Sequence, residues 1–146
     1  MKRLLYITLS MLVFLACKKD SMDAGIQSMG NFMSIQGKWY LSAIERTSID
    51  NAQRTWEPAA AANVDTLMFR TDGVMLDSSG QPACCAPGKL IINGNLLEVK
   101  PQTALPPNPL CALVNCPSCS SWDIEYLDNE MIITPCNNNP RRKYVR

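Results

Sequence analysis

From Gly37 onward apolar and polar residues alternate with a period of two. In GKWYLSAIER, Trp39, Leu41 and Ala43 share one face while Lys38, Ser42 and Arg46 fall in the other set, the pattern of a half-buried strand. RTWEP around Trp56 is a weaker strand signal, and Pro58 followed by Ala59 to Ala62 fits one or two helical turns opened by proline. VDTLMFRTDGVMLDS reads as two strands joined at Thr71-Asp72-Gly73, since Asp-Gly supplies the positive φ of a tight hairpin. KLIINGNLLEVK repeats the arrangement around Asn93-Gly94. In SSWDIEYLDNEMIITP, Trp122, Ile124 and Tyr126 face one way, Asp123 and Glu125 the other, and Asp128-Asn129 makes the turn. RRKYVR closes the chain as a charged strand. About seven to nine strands with hairpin connections predict an all-β fold, an antiparallel barrel or sandwich. By alternation Trp39, Leu41, Leu67, Phe69, Trp122, Ile124 and Tyr126 point inward.

Two loops interrupt the alternation. SSGQPACCAPG carries Cys84 and Cys85, and KPQTALPPNPLCALVNCPSC carries Cys111, Cys116 and Cys119; Pro106, Pro107 and Pro109 forbid a central strand there. The amino end differs from the rest. Lys2 and Arg3 precede Leu4 to Ala16, an uncharged run of thirteen residues. As a helix it spans about 20 Å, short of the roughly 30 Å of bilayer hydrocarbon, so it suits a signal h-region. Phe14-Leu15-Ala16-Cys17 resembles the lipobox of bacterial lipoproteins, with Phe14 where that family prefers an aliphatic residue. The resemblance implies cleavage before Cys17, lipid attachment on Cys17 and a membrane anchor; Lys18, with no aspartate beside the lipid, implies outer-membrane sorting. The expected organisation is a signal peptide over 1–16, a lipidated cysteine and polar tether over 17–35, and one domain over 36–146. Met22, Ile26, Met29 and Met33 fall near helical spacing in the tether, a pattern that packing explains better than copper(I) ligation.

Charge and composition then exclude whole classes. The chain has 14 Lys and Arg against 13 Asp and Glu. Removing residues 1–16 takes away two cations and no acid. That near-neutral balance is no footprint for nucleic acid. With no histidine in the sequence, Ser-His and Cys-His nucleophiles, imidazole bases and His-containing metal sites are all ruled out. Asp65, Asp72 and Asp77 lie close in sequence, but hairpin solvation is the ordinary reason for such residues. The expectation is a non-enzymatic protein without cofactor or metal.

In an oxidising envelope the six cysteines other than Cys17 (Cys84, Cys85, Cys111, Cys116, Cys119 and Cys136) are expected to form three disulfides, with fifteen connectivities open. A redox reading of Cys116-Pro117-Ser118-Cys119 needs a helix after the motif, whereas Ser120 to Tyr126 alternates like a strand. A zinc reading needs four thiolates, for example Cys111, Cys116 and Cys119 with Cys84 or Cys85.

Ile35-Gln36-Gly37-Lys38-Trp39, Phe69-Arg70-Thr71-Asp72-Gly73, Trp122-Asp123-Ile124 and the basic last strand, set behind a lipobox, resemble the small lipocalin-like lipoproteins of the Bacteroidota. The chain lacks the family's Thr-Asp-Tyr motif and adds cysteine-rich loops. The resemblance implies a single antiparallel up-and-down β-barrel of about eight strands, with Trp39 closing one end and Arg142 or Arg146 packed across it. It implies a small hydrophobic ligand bound among Trp39, Phe69, Trp122 and Tyr126. The alternative is an envelope interaction or structural lipoprotein, its barrel filled and its stapled loops touching a protein partner. A binding module requires a cavity of about 300 Å³ or more, and an interaction protein an exposed apolar patch beside the cysteine loops.

Overall fold

The computed structural model describes residues 32–47, 53–60, 65–117, 119–136 and 140–146. The expected signal peptide, Cys17 and the turn over 61–62 lie outside them. Among the described residues nine strands form one sheet: β1 Gly37–Thr47, β2 Arg54–Pro58, β3 Thr66–Phe69, β4 Met75–Leu76, β5 Lys89–Ile92, β6 Asn95–Glu98, β7 Ser121–Leu127, β8 Glu130–Thr134 and β9 Arg142–Val145. Their order is β4-β3-β1-β9-β8-β7-β5-β6, and β2 pairs separately with β1. β1 is long enough to take β3 along Gly37–Tyr40 and β2 along Ala43–Thr47.

The turn chemistry of the three hairpins is local. Asn93 and Gly94 both adopt positive φ between β5 and β6, and Asp128 does so between β7 and β8. Gly73, at φ +81, completes the turn from β3 to β4, where Arg70 and Val74 close a backbone hydrogen bond.

The expectation of a closed, wholly antiparallel barrel is corrected. The sheet is curled but open, and β5 pairs β7 in parallel, Lys89 opposite Ser121 and Ile92 opposite Ile124. β5 leaves the Cys84–Cys85 loop, and β7 leaves the Cys116–Cys119 segment that is bonded to that loop. Two strands launched from one clip run in the same direction. β5 then has β6 on one edge and β7 on the other, so β6 becomes a sheet end. The opposite end, β4, stops after two residues because Asp77 turns the chain through its side chain. The gap between them is crossed by the segment after β6. Val99 donates to the Gly88 carbonyl, Gln102 N–H to the Asp72 carboxylate and Arg70 to the Thr103 hydroxyl.

Inside the curl, Trp39, Leu90, Ile124 and Met131 are fully buried and Phe69, Ile133, Tyr144 and Ile92 nearly so. The core also takes Phe32 and Ile35 from a helical turn at residues 32–35, within the segment that the sequence pattern gives to the tether. This turn closes one end. The Trp39 indole N–H donates to the Ile35 carbonyl at 2.8 Å, and Tyr126 meets Trp39 edge-on at 5.8 Å. Arg146 lies across the same ring, its guanidinium carbon 4.3 Å from the centroid, and donates to the Ser34 carbonyl. Of the two arginines considered for that role, Arg146 occupies it.

A Cβ on Gly73 would stand 2.5 Å from the Phe32 ring, while one on Gly80, at nearly the same φ, would meet nothing within 4 Å. Gly80→Ala is therefore expected to cost only the backbone strain, about 1–2 kcal/mol. Gly73→Ala should cost about 1–3 kcal/mol more. Urea unfolding of both variants checks this. Equal losses would contradict the packing of residues 32–35 on the sheet.

Candidate functional site

The end opposite Trp39 is built from the three loops that carry the cysteines. Cys84 is bonded to Cys111, Cys85 to Cys116 and Cys119 to Cys136. All six thiols expected to pair do so, and the two cysteines of the CxxC motif go to different partners. With separations of 27, 31 and 17 residues, each bridge restricts the unfolded chain by about 3–4 kcal/mol in the chain-entropy account. Among the described residues no group of three Cys, Asp or Glu side chains is placed to hold a metal ion.

Around the Cys111 bridge the chain forms a 3₁₀ helix, Pro109–Leu113, that buries none of its residues. Asn108 caps it. Its side-chain oxygen accepts from the Leu110 N–H at 3.1 Å, and its amide donates to the Pro82 carbonyl at 2.9 Å and to Asp77 at 3.2 Å. Asp77 in turn accepts from the Ser79 hydroxyl and from the Ser79 and Gln81 amides. The Ser79 hydroxyl first, then the Gln81 and Ser79 amides and Asn108, outweigh burial and hold the Asp77 carboxyl below its ordinary range. Asp72 anchors the strap of the open seam. Burial is the largest single influence on it and pushes upward, but the Gln102 and Val74 amides and Arg70 together outweigh it and lower the pKa.

Side residues follow from this anchoring. Cys111 is drawn inward by its bridge, and in a 3₁₀ helix residues three apart eclipse. Leu110 and Leu113 therefore stand on one outward face, 62% and 84% exposed, with Val114 following at 47%. The segments that carry the cysteines are poor in charge, with Asp77 tied to Asn108 at their edge. From Pro101 to Trp122 runs a 22-residue stretch without Asp, Glu, Lys or Arg, and 78–88 and 131–140 also carry none. That run was the sequence signal for this surface, visible in a charge plot but not in the alternation pattern.

Beneath Cys84 lies a cup of about 240 Å³, lined on its walls by Leu67, Trp122, Ile133 and Tyr144 and at its mouth by Asp65 and Arg142. Arg142 reaches Asp65 at 3.6 Å, and the Tyr144 hydroxyl donates to the same carboxylate at 3.4 Å. Burial, then the Asp65 charge, push the Tyr144 phenol up to about 12, so it stays a neutral donor. Of the four residues expected to bind a ligand, only Trp122 lines this cup. Trp39 and Phe69 are core, and Tyr126 borders a broad open concavity of about 670 Å³ at the other end, together with Leu127, Ile132 and Val145. Of the three acids that line that concavity, Glu130 is paired with Lys143 and Glu125 with Arg141.

Compared with protein-family models, curated proteins and solved structures, the chain matches none.

Asp77 and Asp72 bind protons less well folded than unfolded. Their contribution to stability is complete above the unfolded carboxyl value near pH 4 and is lost as pH falls through the lowered folded values. Urea midpoints measured from pH 7 downward are expected to drop below about pH 4, and to drop less for Asp77→Asn. Parallel curves for the two proteins would contradict the role given to this turn.

Proposed function

We propose that the chain is an outer-membrane-anchored, lipocalin-like lipoprotein that works without catalysis, its filled half-barrel presenting the stapled rim to a protein partner. The observation that carries this reading is the division of apolar residues. The interior is occupied by side chains such as Trp39, Phe69, Ile124 and Tyr144, while Leu110, Leu113 and Val114 are held outward on a loop braced by two bridges and Asn108. A rigid apolar projection loses little conformational freedom on docking, which is the physical advantage of such a brace. The lipobox around Cys17 supports the anchor, and Gly37-Lys38-Trp39 with Arg146 across the ring supports the lipocalin likeness. Phe32, where the described chain begins, packs beside Gly73 at the end away from the rim.

The cup under Cys84 favours a second reading, a carrier of a small hydrophobic molecule held on Trp122 and Tyr144. Its volume of about 240 Å³ falls below the roughly 300 Å³ at which ligand sites begin, and the concavity of about 670 Å³ beside Tyr126, which exceeds it, is broad and open rather than enclosed.

Native mass spectrometry of the full chain, released from the envelope in detergent, separates the two. The expected mass lacks six thiol hydrogens and carries nothing beyond the lipid. A retained small apolar molecule, lost on Trp122→Ala, would overturn the first reading for the second.

A further inference from the structure

We infer that the cup under Cys84 binds a small neutral phenol, a single aromatic ring bearing a hydroxyl, with the ring among Leu67, Trp122 and Ile133 and the hydroxyl at Tyr144 and Asp65. This rests on the second reading, that the cup is a binding site, and narrows it by size, charge and head group. The rim as a protein contact is unaffected. Size comes first. An apolar cavity of about 150 Å³ is enough to take benzene. The cup, at about 240 Å³, has room for one substituted ring and stops short of a drug-sized ligand site. Leu67 and Ile133 are buried, and Trp122, opposite Leu90 in the β5–β7 register, packs partly buried against the core. It offers a guest ring an aromatic surface, which adds to plain apolar burial.

The head group follows from the polar residues on the inner face of the curl. β9 sets Arg142 opposite Ile133 and Tyr144 opposite Met131, so both share the face of those buried residues. The Asp65 carbonyl accepts from the Leu41 N–H at 2.9 Å, which fixes the acid beside them. These three groups bond one another loosely. The Tyr144 hydroxyl stands 3.4 Å from the Asp65 carboxylate and Arg142 3.6 Å from it. Well-formed bonds to a carboxylate are about 2.5–2.9 Å. A hydroxyl entering here accepts from Tyr144 and donates to Asp65, supplying the short bonds that the pair lacks. The same groups select against a charged ligand. Asp65 and Arg142 balance each other, and Asp77, the third ionised group of the lining, is held by Ser79, Gln81 and Asn108. A carboxylate ligand would meet two acids and an ammonium would meet Arg142, and either would lose its hydration against apolar walls. A molecule of about eight non-hydrogen atoms binds weakly and exchanges fast, so it is not retained through purification.

The test is fluorine NMR line broadening on the full chain in detergent, with para-fluorophenol, para-fluorotoluene, para-fluorobenzoate and para-fluorobenzylammonium as probes of one shape. The measurement is made near pH 7, where a phenol keeps its proton. Trp122→Ala, its three disulfides still formed, reports uptake by the detergent alone. Para-fluorophenol is expected to bind the wild-type chain at least about tenfold more tightly than the other three, the worth of one hydrogen bond to a charged group. Tyr144→Phe keeps the ring and its packing but removes the hydroxyl, and is expected to bring para-fluorophenol down to the level of para-fluorotoluene. Equal binding of phenol and toluene in the wild type, or an undiminished preference in Tyr144→Phe, would overturn the head-group assignment and leave the cup standing as a binding site. Benzoate or benzylammonium bound as tightly as the phenol would overturn the neutral class, again leaving the cup. Broadening no greater with the wild type than with Trp122→Ala, for every probe, would overturn both the inference and the reading on which it rests.

Discussion

Adjacent cysteines bonded to two points of one crossover constrain everything that follows them in the chain. Cys84 and Cys85 hold Cys111 and Cys116, so the loop after β4 and the loop before β7 are one covalent unit. β5 and β7 both begin at that unit, and their parallel pairing follows from where they start. With β5 enclosed between β6 and β7, the sheet runs out at β6 and at the short β4 and cannot close. The seam is sealed by polar bonds instead, through Asp72, Arg70, Gln102 and Thr103.

The two ends of the molecule are held by different forces. At the closed end Phe32, Ile35, Trp39 and Phe69 pack on one another, and Arg146 covers the tryptophan. At the rim the 3₁₀ helix contributes no buried side chain, so hydrophobic burial does not hold it. Bridges, the Asn108 cap and the Asp77 turn take that role, and this leaves Leu110 and Leu113 available to face outward. An exposed leucine ridge and a disulfide-dense loop are two sides of one solution.

How much of this is legible in the sequence depends on the range of the interaction. Asn93-Gly94, Asp128-Asn129 and Thr71-Asp72-Gly73 mark hairpins because positive φ is a local demand, and all three appear where the residues indicate. The alternation of Trp122, Ile124 and Tyr126 is local too, though only Ile124 is fully buried. An even number of cysteines points to pairing, but connectivity is a long-range property and so is the parallel β5–β7 contact that depends on it. Trp39 and Phe69 show why inward direction is a weak guide to a ligand site, since in a filled curl inward means core. Arg146 over Trp39 is anticipated only through the resemblance, as one of two arginines.

The central claim is that one clip, from Cys84 and Cys85 to Cys111 and Cys116, sets both the sheet topology and the rim. Mapping the disulfides tests it most directly, by partial reduction, alkylation of the released thiols and tandem mass spectrometry of the fragments. The account predicts Cys84–Cys111, Cys85–Cys116 and Cys119–Cys136. A bond from Cys84 or Cys85 to Cys119 or Cys136, or a closed Cys116–Cys119 loop, would contradict it.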